Sequence, residues 1–266
     1  MNHRYRPILA AVVFAVGALP GSAQVLDHPT LYRLERTSTL QRGCFPPCMC
    51  PALETVPIVG TFRLNLITVG DVFDFYEVTG VRFKFQSSSG EAVEVTGSGT
   101  YAVSTITDQQ RLDLTLVVGS EPPTMYRSDD VPGGSAFPRI AVPISINGGF
   151  CHDTVIDLRA KPARRLYVDP SQLRWDGDSE NATATSDVVF GDLRILRATG
   201  GAFDVATWAC VADSGASSSA PFPGSPGPDQ GFWFLERATG DLYEDGDAAQ
   251  IGSPDPEIAI SAVACP

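Results

Sequence analysis

The sequence predicts an all-β protein, two β-sandwich domains in tandem behind an export signal, and three observations carry that prediction. Apolar residues recur at every second position in short runs from residue 31 onward, the pattern of half-buried strands. No stretch sustains a helical period beyond about two turns. The runs are punctuated by Gly, Pro, Asp and Ser, the grammar of a sandwich or barrel.

The opening residues are set apart. Arg4 and Arg6 precede an apolar run from Ile8 to Leu19, which ends in Pro20, Gly21, Ser22 and Ala23. Charged start, short apolar stretch and small residues before a cut define a secretory signal, with cleavage expected after Ala23. The run is about 12 residues, well short of the roughly 20 that span a bilayer. The expected product is secreted or periplasmic, with no membrane association after cleavage.

The first domain is placed at residues 28–160. Its alternating sets are Phe62, Leu64 and Leu66; Val81, Phe83 and Phe85; Val93 and Val95; and Tyr101 and Val103. Leu112 through Val118 and Ile140 through Ile146 follow, with turns expected at Ser87–Gly90, Gly97–Gly99 and Asp129–Gly134. Pro143 has no amide hydrogen to give a neighbour, so its strand belongs at an edge or bulge. The change of composition at Ala160–Arg165, charged and without alternation, marks a boundary.

The second domain is placed at residues 166–266, with strands at Leu173–Trp175, Val188–Leu196, Phe232–Leu235 and Ile258–Val263. Gly201–Cys210 is the best local candidate for a helix, and it is short. Ser214–Gln230, rich in Ser, Ala, Pro and Gly, reads as a long surface loop.

Formal charge is −12, and losing Arg4 and Arg6 makes the mature chain two units more acidic. Like-charge repulsion disfavours nucleic acid and anionic membranes as partners, and no basic stripe opposes it. Six cysteines in an exported chain read as disulfides: Cys44, Cys48, Cys50, Cys151, Cys210 and Cys265. Their grouping pairs Cys210 with Cys265. A Cys48–Cys50 loop is too short for comfortable geometry, so Cys44 is expected to join one of that pair and the other to reach Cys151. A four-thiolate zinc site is the weaker reading, because the spacing lacks paired C-x₂-C motifs.

Leu173-Arg174-Trp175, Ser186 through Leu193, Gly231 through Ala238, and the ending Gln250–Ala259 with Cys265-Pro266 resemble a fibronectin type III-like module of secreted bacterial proteins. The likeness spans about residues 166–266 and implies an immunoglobulin/fibronectin type III-like sandwich acting as spacer, adhesive or partner-binding module. It implies no catalytic residue. Gly60-Thr61-Phe62-Arg63-Leu64 and Val95 through Tyr101 resemble an uncharacterised exported β-domain, which brings no function with it.

Candidate sites are few. Asp176, Asp178 and Glu180 alternate as oxygen ligands for calcium would, although Asn181 stands where an EF-hand loop has glycine. Asp241, Glu244, Asp245 and Asp247 form a second acidic cluster with the same potential. His152 beside Cys151 suggests a nucleophile and base, a reading the oxidising compartment opposes by tying up the thiol. No catalytic residue, firm metal site or required cofactor is assigned.

Among the aromatics, Trp208 and Trp233 are the candidates for ligand contact. Neighbours along a strand point to opposite faces, so Trp233 is expected outside and Phe232 and Phe234 inside. The functional expectation is a non-enzymatic exported protein with a structural or extracellular interaction role. Its partner would be a protein or polysaccharide surface, with a carbohydrate-binding module or secreted hydrolase as the alternative.

Overall fold

The computed structural model describes residues 29–48, 53–104, 106–176, 185–215, 217–222, 224–239, 243 and 254–265. The protein is mostly β-strand, as expected. In the first half lie β1 (Thr30–Leu34), β2 (Thr39–Cys44), β3 (Leu53–Pro57), β4 (Val59–Thr68), β5 (Asp74–Gln86) and β6 (Ala92–Ser104). They are followed by β7 (Gln109–Val118), β8 (Thr124–Arg127), β9 (Val131–Pro132), β10 (Ile140–Ser145) and β11 (His152–Pro162).

These strands form one antiparallel sheet whose path runs β1-β4-β5-β6-β7-β8-β10-β11. β11 also pairs with β1, aligning Leu34 with Ala160, so the sheet closes on itself. The two layers expected of a sandwich are therefore opposite walls of one continuous sheet. Alternation sends every second side chain into the shared interior. Leu112, Leu114, Leu116 and Val118 are all buried there, as are Ile140, Val142 and Ile144. Tyr32 stacks on Phe62 at 5.2 Å between ring centres, and Phe137 reaches in from a short 3-10 turn to meet Tyr76 and Tyr101.

Several expectations change in this half. Gly97–Gly99 is no turn but the middle of the long strand β6. A Cβ at Gly99 would lie 1.9 Å from the carbonyl oxygen of Asp113, so glycine is what lets β6 and β7 approach this closely. Ile146 falls beyond β10 and is exposed. His152 begins β11 and stands opposite Cys44. Pro143 does not lie on an edge strand, since β10 runs between β8 and β11, but its missing amide falls on a thinly paired stretch. β10 is fully paired with β11, but with β8 it shares only the Ser145–Arg127 register.

The second half holds β12 (Leu166–Val168), β13 (Gln172–Trp175), β14 (Ser186–Asp192), α1 (Leu193–Ala198), α2 (Phe203–Ala206), β15 (Thr207–Gly215), β16 (Ser219–Pro221), β17 (Phe232–Ala238) and α3 (Pro254–Ile260). Two three-stranded sheets result, β12-β13-β16 and β15-β14-β17. Every residue of β14 is buried, because its sheet is covered on both faces. Val188 joins Leu173, Trp175 and Ala220 on one side. Val189 joins Trp233, Ala206 and Ile258 on the other.

The helical face is where sequence and structure part. The Val188–Leu196 run is a strand that turns into α1, the Gly201–Cys210 candidate is α2 followed by β15, and the Ile258–Val263 run is partly α3. Within the Ser214–Gln230 loop, β16 pairs with β13 and Ala220 is buried.

Candidate functional site

Two of the expected cysteine bridges are present, Cys48–Cys151 and Cys210–Cys265. Cys44 is also disulfide-bonded, Cys50 lies outside the described residues, and no described cysteine is free. With Cys151 in a bridge, the nucleophile reading of Cys151 and His152 loses its thiolate. The four-thiolate zinc reading loses Cys48 and Cys151 for the same reason.

Of the acidic loops, Asp176 alone is described; it is exposed and accepts a long 3.5 Å hydrogen bond from the Tyr167 hydroxyl. Asp178, Glu180, Asp241, Glu244, Asp245 and Asp247 lie outside the described residues. Among the described residues no group of three or more His, Cys, Asp or Glu side chains is placed to hold a metal. No described helix is long and apolar enough to cross a membrane.

The aromatic candidates are rearranged. Trp233 is 8% exposed and packs edge-on against Phe203 at 5.1 Å, so its expected place at the surface is corrected. The alternation rule itself holds: Trp233 and Phe232 do face opposite ways. The short helices cover the face that alternation alone leaves to solvent. The indole sits over Gly191, where a Cβ would come within 2.6 Å of the ring.

The opposite face carries an aromatic shelf. Trp208 is 39% exposed and meets Phe232 at 5.7 Å and Phe190 at 6.2 Å, edge to face. Phe190 stacks on Phe234 at 5.8 Å, and Phe222 from the strand-β16 side closes the row against both Phe232 and Phe234. The edge-to-face geometry is the favoured one for such rings. Trp208 is held by its neighbours and remains exposed.

A second feature lies where the halves meet. A cavity of about 220 Å³ is bounded by β1, by the segment after β11, and by β17. Arg164 comes from that connecting segment and its Nη1 donates to the Glu236 carboxylate and, at 3.3 Å, to the Ser186 hydroxyl. Both members of the ion pair are well buried. Burial raises the Glu236 carboxyl above its usual range, and Arg164 pulls it back only in part. Alongside, Arg237 donates to buried Asp187 at 2.8 Å and lies over the Tyr243 ring at 4.4 Å.

No family model, curated protein or solved structure matches this chain.

Proposed function

We propose that the chain is an exported, non-enzymatic interaction protein, secreted or periplasmic once residues 1–23 are removed. In this reading residues 28–160 are a rigid support, and residues 166–266 are a fibronectin type III-like contact module with an added helical layer. The observation that carries it is the exposed Trp208 set on a row of packed phenylalanines. A large ring pre-positioned by Phe190 and Phe232 loses little freedom on contact, which is why such residues dominate binding surfaces. Two disulfides support an oxidising compartment.

The same ring favours a second reading, in which the surface bound is a polysaccharide stacked on Trp208. The test compares wild type with Trp208→Ala for depletion onto insoluble polysaccharides and for cross-linking to cell-surface proteins. Loss of either capture in the variant supports the shelf and tells the two readings apart. Release of reducing ends would instead indicate a hydrolase. If Trp208→Ala leaves every capture unchanged, the shelf is not the contact surface.

A further inference from the structure

We propose that Asn147-Gly148, in the turn between β10 and β11, is a self-modifying site, at which the backbone nitrogen of Gly148 attacks the Asn147 side chain and ammonia is released. The asparagines after Ala23 are Asn65, Asn147 and Asn181, followed by Leu66, Gly148 and Ala182. Of these followers, glycine alone offers its amide without a Cβ to hinder ring closure.

The turn sets this amide apart from its neighbours. The buried carboxylate of Asp153 accepts from the amides of Ile146 at 3.2 Å, Asn147 at 3.0 Å and Gly149 at 2.7 Å. The amide of Gly148 is passed over and has no hydrogen-bond partner among the described residues. The nucleophile is therefore uncommitted. Nδ2 of Asn147 donates to the Phe150 carbonyl at 3.0 Å, a bond that directs the carboxamide forward along the turn. Gly148 and Gly149 have positive φ, 67° and 71°, and open space where a Cβ would stand, so the backbone has room to close the ring. Asn147 and Gly148 are both exposed to the water that completes the reaction. Asn65, in contrast, lies within β4 with its Nδ2 bonded to the Thr79 hydroxyl.

The step balances with water alone. A bond forms between the Gly148 nitrogen and Asn147 Cγ, the Cγ–Nδ2 bond breaks, and the Gly148 amide proton leaves with that nitrogen as ammonia. Water then opens the cyclic imide at either carbonyl, leaving aspartate or isoaspartate at position 147. Both products lose the donor to Phe150 and place a new negative charge close to Asp153, whose carboxylate already meets the Asn147 amide. The turn that presents exposed Phe150 is expected to loosen.

The test is incubation of the whole protein, disulfides intact, for weeks at body temperature, followed by peptide mapping that separates aspartyl from isoaspartyl forms. Conversion at Asn147 ahead of Asn65, giving both forms, is the expected result. Gly148→Ala puts a methyl beside the attacking nitrogen and is expected to slow conversion about tenfold, roughly 1.4 kcal/mol of barrier. Should that variant fail to fold, wild type kept native and wild type kept in urea decide between them. Conversion confined to the unfolded chain shows that the turn protects Asn147 and overturns the site. Aspartate without isoaspartate overturns the cyclic route. Asn147→Asp tests the consequence: chymotrypsin should cut after Phe150 several times faster than in wild type, and an unchanged rate overturns the loosening.

Discussion

The side-chain amide of Gln110 donates to the backbone carbonyl of Ala141 at 3.3 Å, joining β7 to β10 where the pairing of the closed sheet is thinnest. The same nitrogen donates to the carbonyl of Pro132 at 3.1 Å, and the amide oxygen accepts from the Tyr101 hydroxyl. One buried side chain thus supplies the bonds that Pro143 and the short β8 do not. Gln110→Leu leaves the buried Tyr101 hydroxyl without its partner and removes two part-buried bonds to the Pro132 and Ala141 carbonyls, and the expected loss is roughly 2–3 kcal/mol. Urea unfolding monitored by circular dichroism reads it as a lower midpoint at unchanged slope; a change under about 0.5 kcal/mol would show that Gln110 does not hold β7 to β10.

Gly191→Ala tests the helical layer. The added methyl would meet the carbonyl oxygen of Ala206 at 1.9 Å as well as the Trp233 ring. Backbone and indole must both move, at a cost of roughly 1–3 kcal/mol or more. Near-ultraviolet dichroism should lose the Trp233 signal while the first half melts unchanged. A variant with the wild-type spectrum and melting point would contradict the packing described.

Cys210→Ala with Cys265→Ala opens a loop whose ends are 55 residues apart. The chain-entropy estimate is roughly 4 kcal/mol. The bridge ties β15 to the C-terminal stretch after α3, so scanning calorimetry should show the second half melting first, ahead of the first. A single transition at the wild-type temperature would show that the bridge is dispensable.

Tyr32 and Tyr101 titrate far above the ordinary phenol range of about 10, chiefly because burial disfavours the phenolate and then because other tyrosines lie close. Their folded-state values exceed the unfolded ones, so the stability they contribute is intact below about pH 10 and declines as pH rises beyond it. Absorbance at the phenolate wavelength should stay short by these two groups until the strand signal collapses. Full ionisation with the strands intact would refute the burial of these two rings.

Legibility followed the physics of each element. Where one face is buried and one wet, as in Leu112 through Val118, period-two alternation marks the strand without ambiguity. Closure of the sheet was not visible, because the pairing of Leu34 with Ala160 is a long-range relation that no local pattern encodes. The helices were missed because each is shorter than two turns, or little more, and leaves too few residues to display a period. One signal was there: Asp192 caps α1, accepting from the amides of Arg194 and Ile195, and it directly precedes an Arg- and Leu-rich stretch that ends at Gly200. Reading that cap would have placed helices on one face of β14 and kept Trp233 inside.

The cavity at the junction had no sequence signature. Arg164 and Glu236 are 72 residues apart, and their meeting depends on how the two halves dock. What the sequence offered was the charged segment at Ala160–Arg165, read only as a boundary.

β11 enters these relations at both ends: it closes the ring against β1 and runs directly into the segment that leads to the second half. A pull applied to the second half is therefore delivered along the axis of a strand bonded on both sides. It loads the ladders with β1, β2 and β10 in shear instead of opening them one rung at a time. At the far end of that strand, Cys151 is tied to Cys48. Extension could draw out β11 only as far as this covalent stop, because the bridge encloses the chain between Cys48 and Cys151 in a loop that such a pull cannot lengthen.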